Sequence, residues 1–206
     1  MLVYTIKELC RTCYTCVREC PARAIRIVGG QAEVIEERCI ACGNCTKVCS
    51  QGAKVYLSTT DRVLNLLSEE KEVAAIIAPS FPAEFFDIPD HRKLIGMIRA
   101  IGFKYIAEVS FGADLVADRY RKLVEESREN FITSDCPSIV NYVKYYHPGL
   151  VDRLAPVVSP MVAMARVIHA KYGESTKIVF IGPCVAKKAE SSDVDEAITF
   201  RELREL

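Results

Sequence analysis

Eight cysteines in the first quarter of the chain have a spacing that suits the binding of iron–sulfur clusters. They form two runs with the spacing C-x2-C-x2-C-x3-C, one from Cys10 to Cys20 and one from Cys39 to Cys49. Three closely spaced cysteines can surround one corner of an iron–sulfur cube, and the fourth points towards a second cube. The spacing therefore predicts two 4Fe–4S clusters, held by Cys10, Cys13, Cys16 and Cys49 and by Cys39, Cys42, Cys45 and Cys20.

Zinc sites and disulfides are the competing interpretations of these cysteines. Zinc sites would use C-x2-C pairs separated by a longer loop. Disulfides need an oxidising compartment, and residues 1–7 lack the apolar stretch of a secretion signal. The sequence favours clusters, and ten cysteines without an export signal indicate a reducing cytoplasm and an oxygen-sensitive protein of anaerobic metabolism.

Residues 1–57 resemble the bacterial two-cluster ferredoxins. Their short apolar runs predict strands at residues 2–6, 25–28, 32–35 and 54–57, with a hairpin turn at Gly29 and Gly30. The two cysteine runs repeat each other, but they differ after the last cysteine, where Ser50 replaces the Pro21 of the first run. We expect an α+β ferredoxin-like cluster domain over 1–57, followed by a capped linker helix over 58–70.

The composition excludes several classes of function. The formal net charge is zero, which argues against a nucleic-acid or membrane-surface partner. The hydrophobic share is 50%, yet no stretch of apolar residues is long enough for a membrane span. The sequence also has no glycine-rich phosphate-binding loop.

After residue 70, short apolar runs alternate with amphipathic segments. The runs predict strands at 73–78, 104–109, 130–133 and 177–181, and the segments predict helices at about 90–101, 114–128, 137–147 and 160–172. This alternation indicates an α/β domain with a mainly parallel sheet, whose chemistry belongs at the carboxyl ends of the strands. Cys136 and Cys184 would share that edge, although two unrelated core cysteines are the alternative interpretation.

The segments around these two cysteines resemble the first two signature segments of the iron-only (FeFe) hydrogenases. They read Thr-Ser-Asp-Cys-Pro at 133–137 and Gly-Pro-Cys-Val-Ala-Lys-Lys-Ala-Glu at 182–190, and residues 111–114 and 159–161 are similar to further segments of that domain. The resemblance covers residues 71–206. It implies that Cys136 and Cys184 bind the 4Fe–4S part of the H-cluster. It also implies that Lys187 hydrogen-bonds a cyanide of the di-iron subsite and that Pro79, Ser80 and Pro160 line the pocket.

Three departures from active hydrogenases bear on catalysis. Asp135 occupies the position of the cysteine that donates protons to the di-iron site. A free aspartate has a pKa of about 3.9 against about 8.5 for cysteine, so a carboxylate relay would be tuned differently. Ile139 and Gly182 replace an aromatic residue and a methionine of the pocket wall. The third signature segment, which supplies the remaining cysteine ligands, is absent from the sequence, so a third 4Fe–4S cluster or H-cluster is expected only if that segment is supplied.

The resemblance implies electron transfer through two clusters to or from a partial hydrogenase-like domain at 71–206. The reaction would be H2 oxidation or proton reduction, or H2 and redox sensing as in the family's sensory branch. The partner would be a redox protein or a downstream signalling module. The alternative is a ferredoxin-type carrier or docking subunit without H2 chemistry. An open half-domain would expose apolar surface, so homo-oligomerisation is also expected, including a homodimer that shares one cube through Cys136 and Cys184.

Overall fold

The chain forms two compact units, each assembled from segments that are distant in sequence. A computed structural model describes residues 1–69, 72–127 and 129–206. The first unit comprises Met1–Leu57, Cys136–Leu154 and Cys184–Glu190, and the second comprises Ser58–Asp135, Ala155–Pro183 and Ser191–Leu206. Among the helices of the described ranges, none has the length and apolar character that crossing a membrane requires.

The elements follow in chain order. The strands are β1 (Val3–Thr5), β2 (Ile25–Val28), β3 (Gln31–Val34), β4 (Lys54–Tyr56), β5 (Val73–Ile77), β6 (Tyr105–Glu108), β7 (Lys177–Ile181) and β8 (Glu196–Ile198). The α-helices are α1 (Thr15–Arg18), α2 (Asn44–Val48), α3 (Thr60–Glu69), α4 (Phe81–Glu84), α5 (His91–Ile101), α6 (Ser110–Glu126), α7 (Pro137–Tyr146), α8 (Pro160–Tyr172) and α9 (Phe200–Glu205). Short 3-10 helices lie at Lys7–Leu9, Glu36–Arg38, Pro148–Arg153 and Val185–Ala189.

Two antiparallel strand pairs shape the first unit. β1 pairs with β4, and β2 pairs with β3 through a two-residue turn. Gly29 and Gly30 both have positive φ, 55° and 75°, which a tight hairpin of this length requires. The four strands predicted in residues 1–57 are therefore confirmed, with ends that differ by at most one residue.

A four-stranded parallel sheet forms the core of the second unit, in the order β6-β5-β7-β8. All five residues of β5 are buried, as are Ile178–Ile181 of β7. Strands covered on both faces read as continuous apolar runs, which is why these two were predictable. β8 has three residues, too few for such a pattern to be visible.

The predicted strand at residues 130–133 is wrong. Ile132 takes part in a single bridge, and its carbonyl accepts a hydrogen bond of 2.8 Å from the backbone N–H of Ala155. The fourth strand of the sheet is β8 instead, since the short run at 130–133 leads from α6 into α7 without entering the sheet. Cys184 follows a sheet strand, as expected, whereas Cys136 does not.

The predicted helices at 90–101, 137–147 and 160–172 are confirmed as α5, α7 and α8. The segment predicted from 114 begins earlier, at Ser110 in α6. The predicted ends of this helix at 128 and of the linker helix at 70 lie outside the described residues, as does residue 71. Gly112 lets α6 approach α8, because a Cβ there would lie 2.3 Å from the carbonyl oxygen of Pro160.

Candidate iron–sulfur sites

The first candidate site is an open cavity in the first unit. Its wall includes the cysteine loop at residues 10–16, the segment before β4, and Lys54 and Thr5 from β4 and β1. The cysteines around it are Cys10, Cys13, Cys16 and Cys49. Four thiol sulfurs around one cavity are the donor set of a 4Fe–4S cube, so these residues fit that group.

The second candidate site is an open cavity in the same unit. Apolar residues of β1 to β3 and the loop at residues 39–45 form its wall. The cysteines around it are Cys20, Cys39, Cys42 and Cys45, so each cavity takes its fourth cysteine from the other run. In addition, the backbone N–H of Ala24 donates to the Cys20 sulfur at 3.3 Å.

Both cysteine loops contain left-handed backbone at equivalent positions. Thr12 (φ 52°) and Ala41 (φ 58°) precede the second cysteine of each run, and Tyr14 (φ 62°) and Gly43 (φ 75°) follow it. A residue with a side chain loses roughly 1–2 kcal/mol in this conformation, and such strain concentrates at ligand sites. Alternating backbone of this kind turns the chain around a concavity and directs N–H groups into it, which suits a negatively charged cluster.

The electrostatics of the cysteines differ from one to the next. The backbone N–H of Ala32 lowers the pKa of Cys10, and the Thr15 hydroxyl, 3.4 Å from the sulfur, lowers the pKa of Cys13. Burial raises the pKa of Cys16 and Cys39, and it raises the pKa of Cys45 to about 12. A ligating thiol must lose its proton, so cluster insertion at the buried cysteines has to release protons.

Cys136 and Cys184 lie in the first unit, the unit that also contains both cavities. Cys136 precedes the first residue of α7, and Cys184 precedes the 3-10 helix Val185–Ala189. These two helices contact each other. The structure therefore brings the two cysteine segments into one neighbourhood although 47 residues separate them in sequence.

Helix α7 connects this neighbourhood to the second cavity. Tyr142 and Tyr146 pack against the same small buried cluster as Cys20 and Cys39, and the two tyrosine rings stack with centroids 5.1 Å apart. The Tyr146 hydroxyl donates to the carbonyl oxygen of Ala22, and it lies 3.1 Å from the Arg38 carbonyl oxygen. The helix that starts after Cys136 thus ends against the loops of a cluster site.

The other predicted site residues are divided between the units. Lys187 is in the first unit, where its ammonium forms an ion pair of 2.7 Å with Glu190, each side chain being 12% exposed. Asp135, Pro79, Ser80 and Pro160 belong to the second unit. Glu190 was missed at the sequence level, although its i,i+3 spacing from Lys187 is a usable signal.

Gly182, which replaces a family methionine, has a structural explanation. A Cβ at this position would lie 2.5 Å from Cζ of Phe180 and 2.9 Å from Cβ of Ala78. Phe180 is only 4% exposed, so its ring is fixed in the core. The ring of Phe180 therefore occupies the space that a side chain at 182 would need.

Replacing Gly182 by methionine should lower the free energy of unfolding by about 1–3 kcal/mol, because the new side chain overlaps the Phe180 ring. Adding Phe180→Ala should cost less in G182M than in the wild-type chain, since the methionine fills the vacated space. Urea denaturation followed by circular dichroism measures both. Gly96→Met is the matched control, because a Cβ there meets nothing within 4 Å and methionine favours the helix. Equal costs of Phe180→Ala in both backgrounds would contradict this packing.

One unit with two four-cysteine cavities and a second unit built on a parallel sheet define an iron–sulfur protein of the electron-transfer class. Residues 2–50 match the model of the 4Fe-4S dicluster domain. Residues 71–206 match that of the iron only hydrogenase large subunit, C-terminal domain. The chain therefore belongs to the iron-only hydrogenase family, and its cofactors include 4Fe–4S clusters.

Two hydrogenases are similar to this chain in sequence. Iron hydrogenase 1 of Clostridium pasteurianum is 30% identical over 179 residues, which cover 72% of this chain and 31% of that protein. The NADP-reducing hydrogenase subunit HndD of Solidesulfovibrio fructosivorans is 27% identical over 204 residues, which cover 82% of this chain and 35% of that protein. The chain thus spans about a third of these relatives.

A solved structure is similar in fold. The apo [FeFe]-hydrogenase HydA1 from Chlamydomonas reinhardtii superposes with a TM-score of 0.59 at 22% identity, over 71% of this chain and 46% of that one. At this identity the likeness concerns the fold alone.

Proposed function

We propose that the chain relays electrons between its two clusters and a third redox site built on Cys136 and Cys184, in H2 oxidation, proton reduction or sensing of H2 and redox state. Residues 1–57 would be the relay, 58–70 the link and 71–206 part of the hydrogenase-type domain. A cluster supplies a one-electron redox centre when bound. The chain's own residues hold it, orient it and connect it to the next site.

The course of α7 is the observation that carries this proposal. The helix begins next to Cys136, and Tyr146 in its last turn hydrogen-bonds the loops around the second cavity. Ten helical residues span about 15 Å. Because electron tunnelling weakens steeply with distance, one helix length between two redox sites supports transfer between them.

The remaining residues would handle protons and the pocket. Lys187 would present its ammonium to an anionic ligand of the third site, with Glu190 fixing its position. Asp135, adjacent to Cys136, would exchange protons as a carboxylate, and Pro79, Ser80 and Pro160 would line the pocket. A 4Fe–4S cube takes four ligands, so two must be supplied in addition to Cys136 and Cys184. The partner would be a redox protein or a signalling module.

The test is H2-dependent reduction of the clusters in the chain co-produced, without oxygen, with a segment carrying the family's remaining ligands. We expect about eight irons on the chain alone and about fourteen in the assembly, because a third cube adds four irons and the di-iron subsite adds two. Cys136→Ala and Cys184→Ala should each lower the assembly to about eight irons and abolish reduction by H2. Iron analysis and electron paramagnetic resonance measure these outcomes.

Chemical reduction by dithionite is the internal control, because it should reduce the two relay clusters equally in wild-type and variant assemblies. Persistence of H2-dependent reduction in both variants would overturn the third site. An assembly that contains about eight irons and does not react with H2 would instead support the ferredoxin-type carrier.

A further inference from the structure

Lys54 is a lysine buried in the unit that contains both cavities. It is 3% exposed, at the start of β4 and paired in register with Thr5 of β1. Its ammonium donates to the Thr5 hydroxyl and, at 3.1 Å, to the carbonyl oxygen of Ala32. Both acceptors are neutral groups. Across residues 1–69, 72–127 and 129–206, no carboxylate forms an ion pair with it.

A buried ammonium without a carboxylate is costly, and lysine is rarely buried unless a negative charge compensates it. Lys54 lines the first cavity, together with Cys10, Cys13, Cys16 and Cys49. A cluster with its four thiolates carries net negative charge, and reduction by one electron increases it. A cluster bound in the first cavity would therefore supply the negative charge that compensates the Lys54 ammonium.

Lys54 lines the first cavity and is not among the residues that line the second. Its charge therefore lies against the site of the Cys10, Cys13, Cys16 and Cys49 cluster.

We propose that Lys54 raises the reduction potential of the cluster held by Cys10, Cys13, Cys16 and Cys49. A fixed positive charge in a medium of low dielectric constant stabilises the more negative, reduced cluster. An electron arriving from the α7 side through the second cluster would then come to rest on the first. The inference rests on the two cluster sites and is independent of H2 chemistry.

The test is a redox titration of the cluster-loaded full chain, followed by electron paramagnetic resonance. At the wild-type midpoint of the first cluster, Lys54→Met should lower the ratio of reduced to oxidised first cluster at least tenfold, which is about 59 mV for one electron. The second cluster, whose cavity Lys54 does not line, should shift by less. Lys54→Arg keeps the charge and should restore most of the ratio. Lys7→Met is the matched control, because Lys7 is exposed and its charge is screened by solvent.

Hyperfine-shifted signals of the cysteine β-protons assign each potential to its cluster, and iron counts on the same samples separate a lost cluster from a shifted one. In the unaltered chain, the signals of the first ligand set should change to the reduced form first. Reduction of the second cluster first would overturn the proposal without any variant. An unchanged ratio in a fully loaded Lys54→Met chain would overturn it as well.

Discussion

A chain in which Cys13 and Cys49 are both replaced by alanine should retain one intact cluster, with about four irons, whereas the pair Cys42→Ala and Cys49→Ala should retain almost no iron. The reason is the predicted exchange of the fourth ligand between the two runs. Cys13 and Cys49 line the same cavity, while Cys42 lines the other. The first pair therefore removes two ligands from one cube, and the second removes one ligand from each.

Iron and acid-labile sulfide per chain measure the outcome after anaerobic loading. The pair Cys20→Ala and Cys42→Ala is the matched control, because both residues line the second cavity and the first cluster should survive. The opposite result is equally clear. If each run held its own cube, Cys42→Ala with Cys49→Ala would leave about four irons and Cys13→Ala with Cys49→Ala almost none.

Replacing Glu202 by alanine should lower the free energy of unfolding by an amount on the order of 3–5 kcal/mol. Glu202 is 2% exposed, and its carboxylate accepts hydrogen bonds from the backbone N–H of Thr59 at 3.0 Å and of Thr199 at 2.7 Å. It also accepts one from the Thr199 hydroxyl at 2.8 Å. Removing the carboxylate deprives these buried donors of their acceptor, and it loosens the starts of both α3 and α9.

Urea denaturation of the full chain measures this loss. Glu202→Gln should cost less than alanine, because its amide oxygen can still accept from one backbone N–H. Glu205→Ala is the control on the same helix: this side chain is 57% exposed and pairs with Arg201 at 3.5 Å, so the change should stay within about 0.5 kcal/mol. A Glu202→Ala chain as stable as the Glu205→Ala chain would contradict the role of the carboxylate.

Much of the fold was predictable where local patterns are strong. The apolar runs of β5 and β7 and the amphipathic repeats of α5, α7 and α8 were placed correctly, because a buried parallel strand and a helix with one buried face each have a local signature. The run at 130–133 was misassigned for the same reason. Four residues satisfy a strand pattern without showing whether a neighbouring strand is available to pair with them.

Parts of the candidate site depended on contacts between distant residues. The sequence shows Lys54 as one lysine at the start of a short strand, and only the packing of β1, β3 and β4 makes it a buried charge beside a cavity. From the sequence, Gly182 is only a glycine at a position where the family has methionine. The structure adds that the Phe180 ring occupies the space that a methionine side chain would need. The pattern Thr199-x-x-Glu202 identifies a capping box from the sequence alone. The hydrogen bond from the Thr59 backbone N–H to Glu202 has no signal in the sequence.

The sequence by itself determined the donor chemistry, because thiol sulfurs at fixed spacing permit few alternatives to iron–sulfur clusters. It also determined the family, through the segments around Cys136 and Cys184. Only the tertiary structure decided that α7 and the 3-10 helix Val185–Ala189 join residues 1–57 in one compact unit. The physical reason is that burial and hydrogen bonding between remote segments, such as Tyr146 with Arg38, depend on the whole packed chain and leave no periodic trace in either segment.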